Sequence, residues 1–555
     1  MGGSWLRWGL AVLLGLLIGV VLLPIGGVFS ALWDAQAWAT LAHLAATVIP
    51  AAAMESAILV VLVVLGVAFL GSTAAWLVTA YEFRGRSFFE WALLLPMAVP
   101  AYIVAYAYTD ALQYAGPVQS ALRSWMGWGY GDYVFPQIRS VPGAAFVFTV
   151  VLYPYVYLLA RTAFLARTAC MQEAARSLGM APLRAWWHVD LPLARPAIVA
   201  GSLLALMETL ADYGAASYFG LQTFTTAIYR AWFSHGDRMA AAQLSMVLLL
   251  VVLCVIALEQ RARGKARFFA APNSIRPASR QPLQGGRGAA AALACCVPLG
   301  LGFVLPLGLL LRLMPPWEQI DVLGLRQALT HTAFLGVAAA LIVVGVVIVM
   351  AYALRYAPKQ ARLPALAARA LGLGYAVPGA VIAVGVLIPL AAFDNALDAW
   401  VGRLWGWHTG LLLTGSVAAL LYAYLVRYFA VAHQPIEAGL AGVTESMEAS
   451  ARCLGAGPVQ AFARVHLPLI FPSVLAAALL VFVDVVKELP ATLVLRPFDF
   501  DTLAIMAYHF ASDERLGHAA VPALAIVAAG LLPVLLLSRV IGRGVRRLPA
   551  AEVTP

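Results

Sequence analysis

The sequence predicts an all-α integral membrane protein with about twelve transmembrane helices, arranged as two homologous halves of six helices each. Hydrophobic residues make up 63% of the 555-residue chain and charged residues only 11%, which is too little charge to cover a soluble protein of this size. The mean hydropathy is +0.87, and apolar stretches of about 20 residues, enough to cross a bilayer, recur along the chain. In addition, one polar motif occurs twice, at equivalent places in two long hydrophobic regions.

Twelve apolar segments are candidate transmembrane helices. They are rich in Leu, Val and Ala and lack the alternating pattern of a membrane β-barrel. The candidates lie at about 8–30, 56–80, 90–111, 143–166, 195–218 and 240–258 in the first half, and at about 289–313, 331–354, 367–392, 410–431, 470–491 and 518–541 in the second. We expect the first segment to be a retained helix and not a signal peptide, because no clean cleavage site follows it and Trp5, Trp8 and Trp33 flank it as interfacial anchors.

The stretch between the two sets of helices has a different composition. Residues 263–288 are basic, rich in Pro and Gly, and show no apolar period, so we expect a cytoplasmic linker there. The predicted domains are therefore a first six-helix half at 1–262 and a second six-helix half at 289–555.

Basic residues are concentrated in the loops on one side of the predicted helices. The chain has 36 Lys and Arg residues and a net charge of +10. Since such residues accumulate in cytoplasmic loops, we expect a multi-pass protein of a bacterial inner membrane with both termini and both repeated motifs in the cytoplasm. The lipid bilayer explains the positive charge through its anionic headgroups, and no nucleic acid partner is expected.

The polar motif has the same internal spacing in both halves. The first copy contains Glu173, Ala174, Ala175, Gly179, Leu191 and Pro192, and the second contains Glu448, Ala451, Gly455, Leu467 and Pro468. The two glycines are 276 residues apart, and so are the two Leu-Pro pairs. The pattern predicts a short helix that Gly179 ends, followed by a second helix with Pro182 in its first turn. A short helix of this kind between two spans can insert into a groove of a partner.

These residues resemble the EAA loop of ABC-importer permeases, in which EAA is followed by a glycine and, after nine residues, by a segment ending in Leu-Pro. The second copy departs from the pattern, because Ala449 occupies the position of the acid and Glu448 lies one residue earlier. The resemblance implies that each loop docks on a cytoplasmic ATPase subunit, so that two copies of the ATPase are partners. The alternative is a coincidental amphipathic loop.

The chain itself lacks the motif of a nucleotide-binding loop. Such a loop needs Gly-Lys-Ser or Gly-Lys-Thr, and none of the three lysines, Lys265, Lys359 and Lys487, is followed by Ser or Thr. We therefore expect no enzyme activity and no cofactor in this chain, with ATP and Mg bound by the partner ATPase.

Ionisable and phenolic residues lie within the fifth and eleventh predicted helices. They are Glu208, Asp212, Tyr213, Asp484 and Glu488. Charges at membrane depth are costly, so they usually line a pathway or pair with one another. A spacing of four residues puts both acids of each half on one helical face. Two facing acidic pairs would form a negative constriction that binds a hard cation such as Fe³⁺ transiently, at Glu208 and Asp484, with oxygen ligands. The alternative is a structural role, for instance pairing of Lys487 with an acid.

Two segments, at 208–229 and 483–516, resemble the fused permeases of ferric-iron ABC importers, and this resemblance covers nearly the whole chain. It implies a permease that moves ferric iron, delivered by a periplasmic binding protein, across the inner membrane. Whether the iron would travel bare or with an anion such as citrate stays open. The alternatives are a permease for thiamine, phosphonate or another small solute, and an ion-coupled secondary transporter, which would require neither copy of the motif.

Overall fold

The computed structural model describes residues 2–34, 36–129, 131–165, 177–263, 280–356 and 377–545. Within these ranges the chain is helical apart from loops and one pair of two-residue parallel strands, β1 (Tyr81–Glu82) and β2 (Gln281–Pro282). The helices are α1 (Gly2–Ser30), α2 (Ala37–Thr47), α3 (Ile49–Ala80), α4 (Arg86–Ala92), α5 (Ala101–Leu112), α6 (Pro117–Met126), α7 (Val141–Leu165), α8 (Pro182–Ala185), α9 (Leu191–Ala211), α10 (Gly214–Tyr218), α11 (Phe224–Tyr229), α12 (Arg238–Arg263), α13 (Gly285–Leu299), α14 (Leu305–Leu313), α15 (Val322–Tyr356), α16 (Gly379–Trp405), α17 (Val417–Ala441), α18 (Glu445–Cys453), α19 (Pro458–Ala461), α20 (Leu467–Val486), α21 (Pro490–Leu495), α22 (Leu503–Ser512) and α23 (Leu516–Val545).

The helices confirm the predicted all-α membrane class. In the described part of the chain, nine helical segments are long and apolar enough to cross a membrane, and a tenth is added if the bent pair Arg86–Ala98 and Ala101–Met126 forms one span. The predicted spans at 410–431 and 518–541 correspond to α17 and α23, which fall outside this count. α17 contains Arg427, which lowers its hydropathy.

Three of the predicted spans are broken. The third bends by 90° between Ala98 and Ala101, where Pro100 adopts an extended conformation (φ −61°, ψ 144°). The fifth, predicted to continue to residue 218, ends at Ala211 because Asp212 is extended (φ −72°, ψ 132°). The eleventh ends at Val486. In each half a short separate helix, α10 or α21, follows the break.

Short π-helical and 3₁₀ segments interrupt or extend several helices. The π-helical segments are Trp186–Asp190, Arg230–Ser234, Gly300–Val304 and Phe462–His466, and the 3₁₀ segments are Ala31–Trp33, Leu95–Ala98 and Trp317–Gln319. Two of the π-helical segments directly precede Leu191-Pro192 and Leu467-Pro468. Because proline has no N–H to donate to the preceding turn, a locally widened turn lets the helix continue through the Leu-Pro pair.

The contacts divide the chain into two compact units. Unit 1 comprises residues 1–43, 228–249 and 321–506, and unit 2 comprises residues 44–227, 250–320 and 507–555. The units do not follow the two halves of the sequence. The predicted division at 263–288 describes the repeat in sequence and stays a prediction.

The first helix of each repeat packs with helices of the other repeat. In unit 1, α1 lies against α16, where Gly27 is in close contact with Gly385. In unit 2, Gly302, next to α13, contacts Pro96 and the backbone of α7. Both contacts need glycine, because a Cβ atom at either position would overlap a backbone carbonyl.

Candidate functional site

The first repeated loop is described from Ser177 onward, and the predicted site residues Glu173, Ala174 and Ala175 lie outside the described residues. Gly179 has a left-handed backbone (φ +71°), as predicted for the glycine that ends a helix. Pro182 begins α8, in the first turn as predicted, and the helix continues through the π-helical segment Trp186–Asp190 into α9, which has Pro192 in its first turn.

The backbone of the second repeated loop is described throughout and has the same turn. Gly455 is left-handed (φ +83°). The Ala456 N–H donates to the carbonyl of Ala451 at 3.0 Å, and the Gly455 N–H donates to the carbonyl of Arg452 at 2.9 Å. This pattern of bonds closes the end of α18 and resembles a Schellman turn. The helix restarts at α19 and reaches Leu467, the first residue of α20.

A leucine lies exposed next to the glycine in both loops. Leu178 is 74% exposed and Leu454 is 89% exposed, and they are 276 residues apart like the glycines that follow them. Sequence reasoning did not select them, because a leucine beside a helix end is usually a packing residue. Their common exposure gives each loop an apolar tip.

Glu448, the displaced acid of the second loop, is 7% exposed and belongs to an ion-pair network in unit 1. Its Oε2 accepts from Arg355 Nε at 3.3 Å, and its Oε1 pairs with Arg452. Arg355 also donates to the carbonyls of Leu440 and Val443, at 2.9 and 2.7 Å. A single guanidinium at the end of α15 therefore connects the end of α17 to α18. Arg355 was not among the predicted site residues.

Asp212 caps the short helix that follows the break in unit 2. Its Oδ1 accepts from the N–H groups of Ala215 and Ala216 at 2.8 and 3.3 Å. Its carbonyl accepts from the Thr225 hydroxyl at 2.7 Å. The first amides of a helix have no partner inside the helix, so the carboxylate satisfies them.

Glu488 has the same role in unit 1. Its Oε1 accepts from Ala491 N–H at 2.8 Å and its Oε2 from Thr492 N–H at 2.9 Å, and both donor residues lie 276 positions after those bound by Asp212. The argument from a shared helical face took the two acids of each pair to lie within one continuous helix, but in both halves the helix ends just before the second acid. The predicted pathway role of these acids stays a prediction.

In unit 1, basic groups accompany both acids. Lys487 Nζ lies 2.8 Å from Asp484 Oδ1, which is the structural pairing weighed as the alternative. Arg427 Nη1 lies 3.8 Å from Glu488 Oε1, and both side chains are largely buried. The hydroxyl of Tyr428 donates to the carbonyl of Asp484 at 3.1 Å. The local charge in unit 1 is therefore close to balanced, which the sequence argument for a negative constriction did not anticipate.

In unit 2, Glu208 is partly buried near the end of α9, and its carbonyl accepts from Asp212 N–H at 3.0 Å. The Tyr213 hydroxyl lies 2.9 Å from the hydroxyl of Tyr508. Among the described residues there is no group of three or more His, Cys, Asp or Glu side chains that could hold a metal ion. Transient binding of Fe³⁺ at Glu208 and Asp484 stays a prediction.

Comparisons with known proteins agree with this architecture. Residues 67–260 match the family described as binding-protein-dependent transport system inner membrane component. The chain is 27% identical, over 87% of its length and 88% of the relative, to the Fe(3+)-transport system permease protein FbpB 2 of Haemophilus influenzae. It is 30% identical to a probable molybdenum ABC transporter permease of Haloferax volcanii, over 44% of this chain and 86% of the relative. It is 26% identical to the molybdenum transport system permease protein ModB of Escherichia coli, over 34% of this chain and 82% of the relative.

The family accounts for the apolar helices, since its members are transport components of the inner membrane and not enzymes. The Haloferax volcanii permease is matched at 30% identity over 86% of its own length. The chain belongs to the permeases of binding-protein-dependent ABC transport systems and is a multi-pass inner-membrane protein.

Proposed function

We propose that this chain is the permease of an ATP-driven importer of ferric iron. The observation that carries the proposal is the similarity to the Fe(3+)-transport permease of Haemophilus influenzae, which extends over 87% of this chain and so includes both repeats. The molybdenum permeases cited above match 34% and 44% of the chain. In this proposal a periplasmic binding protein delivers the iron, and both termini lie in the cytoplasm.

The coupling to ATP hydrolysis enters through the two repeated loops. Each loop presents an exposed leucine, Leu178 or Leu454, beside a left-handed glycine, which suits insertion into a cleft of a partner. Two loops require two copies of a cytoplasmic ATPase, which bind ATP and Mg, while this chain binds no cofactor. The Glu173-Ala174-Ala175 segment belongs to the first docking loop in this proposal.

A helical segment connects each loop to a membrane break. From Pro182 to Ala211 the chain is helical throughout, and at 1.5 Å per residue this segment is about 45 Å long. It begins three residues after Gly179 and ends at Asp212, which caps α10. The segment from Pro458 to Val486 repeats this arrangement in unit 1. A displacement of either loop is thereby transmitted to the break, as alternating access requires.

The test is reconstitution of the chain in liposomes with its ATPase and its iron-loaded binding protein. Uptake of radiolabelled iron that requires ATP supports the proposal. Accumulation without any ATPase would instead indicate an ion-coupled transporter, and ATP-dependent uptake of thiamine or phosphonate without iron would indicate another substrate class.

A second candidate substrate is an oxyanion such as molybdate. Relatives named for molybdenum are 26% and 30% identical to this chain, and Arg427 and Lys487 offset the acids beside the break of unit 1, so that an anion would not be repelled there. The reconstituted liposomes distinguish iron from molybdate as the substrate. If iron is the substrate, excess molybdate should leave iron uptake unchanged, and labelled molybdate should not accumulate in the liposomes.

A further inference from the structure

Five tyrosines lie together in unit 2, at its two broken helices. We refer to Tyr102, Tyr106, Tyr213, Tyr218 and Tyr508 as the phenolic cluster. The rings of Tyr106 and Tyr218 meet edge to face at 4.6 Å, and those of Tyr102 and Tyr106 are 5.7 Å apart. The hydroxyls of Tyr213 and Tyr508 are hydrogen-bonded to each other at 2.9 Å. Tyr106 is close enough to interact electrostatically with the other ionisable groups around it, namely Tyr102, Tyr508, Tyr218 and Asp212.

The hydroxyl of Tyr106 is buried without a hydrogen-bond partner in the described part of the protein. Tyr106 is 2% exposed, and its hydroxyl makes no hydrogen bond to the described residues. Leaving a buried hydroxyl unpaired is costly, and phenylalanine would pack in the same space without that cost. The Tyr106 hydroxyl is therefore available to hydrogen-bond to a molecule that is not part of this chain.

Two buried tyrosines of unit 1, Tyr424 and Tyr428, have internal partners. The Tyr424 hydroxyl lies 2.6 Å from the Thr492 hydroxyl, and the Tyr428 hydroxyl donates to the carbonyl of Asp484. Phenol groups are also not a requirement of the repeat. Aligned through Val99-Pro100 with Val377-Pro378 and through the 276-residue offset, Tyr106, Tyr213 and Tyr218 correspond to Val384, Leu489 and Val494.

We propose that the phenolic cluster contacts the transported ferric ion through the oxygen ligands that the ion carries. This inference rests on the proposed function. Ferric iron is a hard cation that keeps oxygen ligands, either water or the carboxylate of a carrier. Neutral phenols hydrogen-bond to such ligands without losing a proton, and Asp212 adds negative charge nearby. Contact through the ligands, and not directly to the metal, also allows the ion to move on.

The test compares Tyr106→Phe with Tyr424→Phe in the reconstituted importer. Tyr106→Phe removes a hydroxyl that no described residue uses, so we expect thermal stability equal to or above that of the unmodified chain, and an initial rate of iron uptake lowered about tenfold, the loss equivalent to one hydrogen bond. Tyr424→Phe removes an internally bonded hydroxyl, so we expect lower stability with an unchanged rate per folded molecule. Uptake measured with and without citrate identifies the ligand: a defect in both conditions indicates water, and a defect with citrate alone indicates the carrier.

Two results would overturn the inference, and they are distinguishable. If the unmodified chain moves iron and Tyr106→Phe moves it at the same rate in both conditions, the contact site is wrong and the proposed function stands. If the unmodified chain moves no iron, both fail.

Discussion

Arg355 and Glu448 form an ion pair of 3.3 Å between the end of α15 and α18, the helix of the second repeated loop. The two side chains are 20% and 9% exposed, so the pair is largely shielded from water. The two terminal nitrogens of Arg355 donate to the carbonyls of Leu440 and Val443, at the end of α17 and just after it. The position of α18 therefore depends on one guanidinium from α15, a helix that is long and apolar enough to cross a membrane.

Replacing that guanidinium should loosen the second docking loop. We expect Arg355→Met to lower the free energy of unfolding by about 3 kcal/mol, because it leaves Glu448 buried without this partner and two carbonyls without donors. ATP hydrolysis should also lose its stimulation by the binding protein. Thermal unfolding in detergent and ATPase assays of the complex measure the two effects.

Arg452→Gln is the matched control for that variant. Arg452 also pairs with Glu448, but its side chain is 61% exposed, so its loss should cost less than about 1 kcal/mol. Equal effects of the two variants would contradict the assignment of Arg355 as the residue that positions α18.

The left-handed glycines of the two loops allow a second prediction. Gly179→Val and Gly455→Val should each strain the backbone by about 1–2 kcal/mol and impair transport, because β-branched residues disfavour positive φ. A steric clash does not contribute to the expected effect, since no atom lies within 4 Å of a Cβ built at either glycine. Gly457→Ala is the control in the same loop, because its site is open and its φ is not positive. Uptake that survives both valine substitutions would exclude these turns from the coupling.

The exposed leucines at the loop tips should matter for docking and not for folding. Leu178→Asp and Leu454→Asp should leave the thermal stability unchanged, since both side chains are mostly in solvent. Each change should reduce co-purification of the ATPase, because a carboxylate in an apolar cleft is costly to desolvate. Leu→Met at the same positions is the conservative control and should keep the partner bound. Full co-purification with both aspartates in one chain would refute docking at these tips.

The repeat could be predicted from the sequence because its markers are local. Gly179, Pro182 and the Leu-Pro pairs act through backbone conformation, and each lies where the spacing indicated. The helix breaks could not be located in this way, because Asp212 and Glu488 lie within apolar runs that read as continuous helices. Arg355 and Arg427 also escaped prediction, since their partners are 93 and 61 residues away in sequence.

Asp212 allows its structural role to be separated from its predicted pathway role. Asp212→Ala removes the acceptor for the buried amides of Ala215 and Ala216, and should cost about 1–2 kcal/mol. Asp212→Asn keeps a carbonyl oxygen for those amides, so thermal unfolding should stay near that of the unmodified chain while the negative charge is lost. If the carboxylate also attracts the transported cation, iron uptake should fall in the Asn variant at unchanged stability. Normal uptake by the Asn variant, together with an unstable Ala variant, would make Asp212 a capping residue alone and leave Glu208 as the acid of unit 2 to be tested in the pathway.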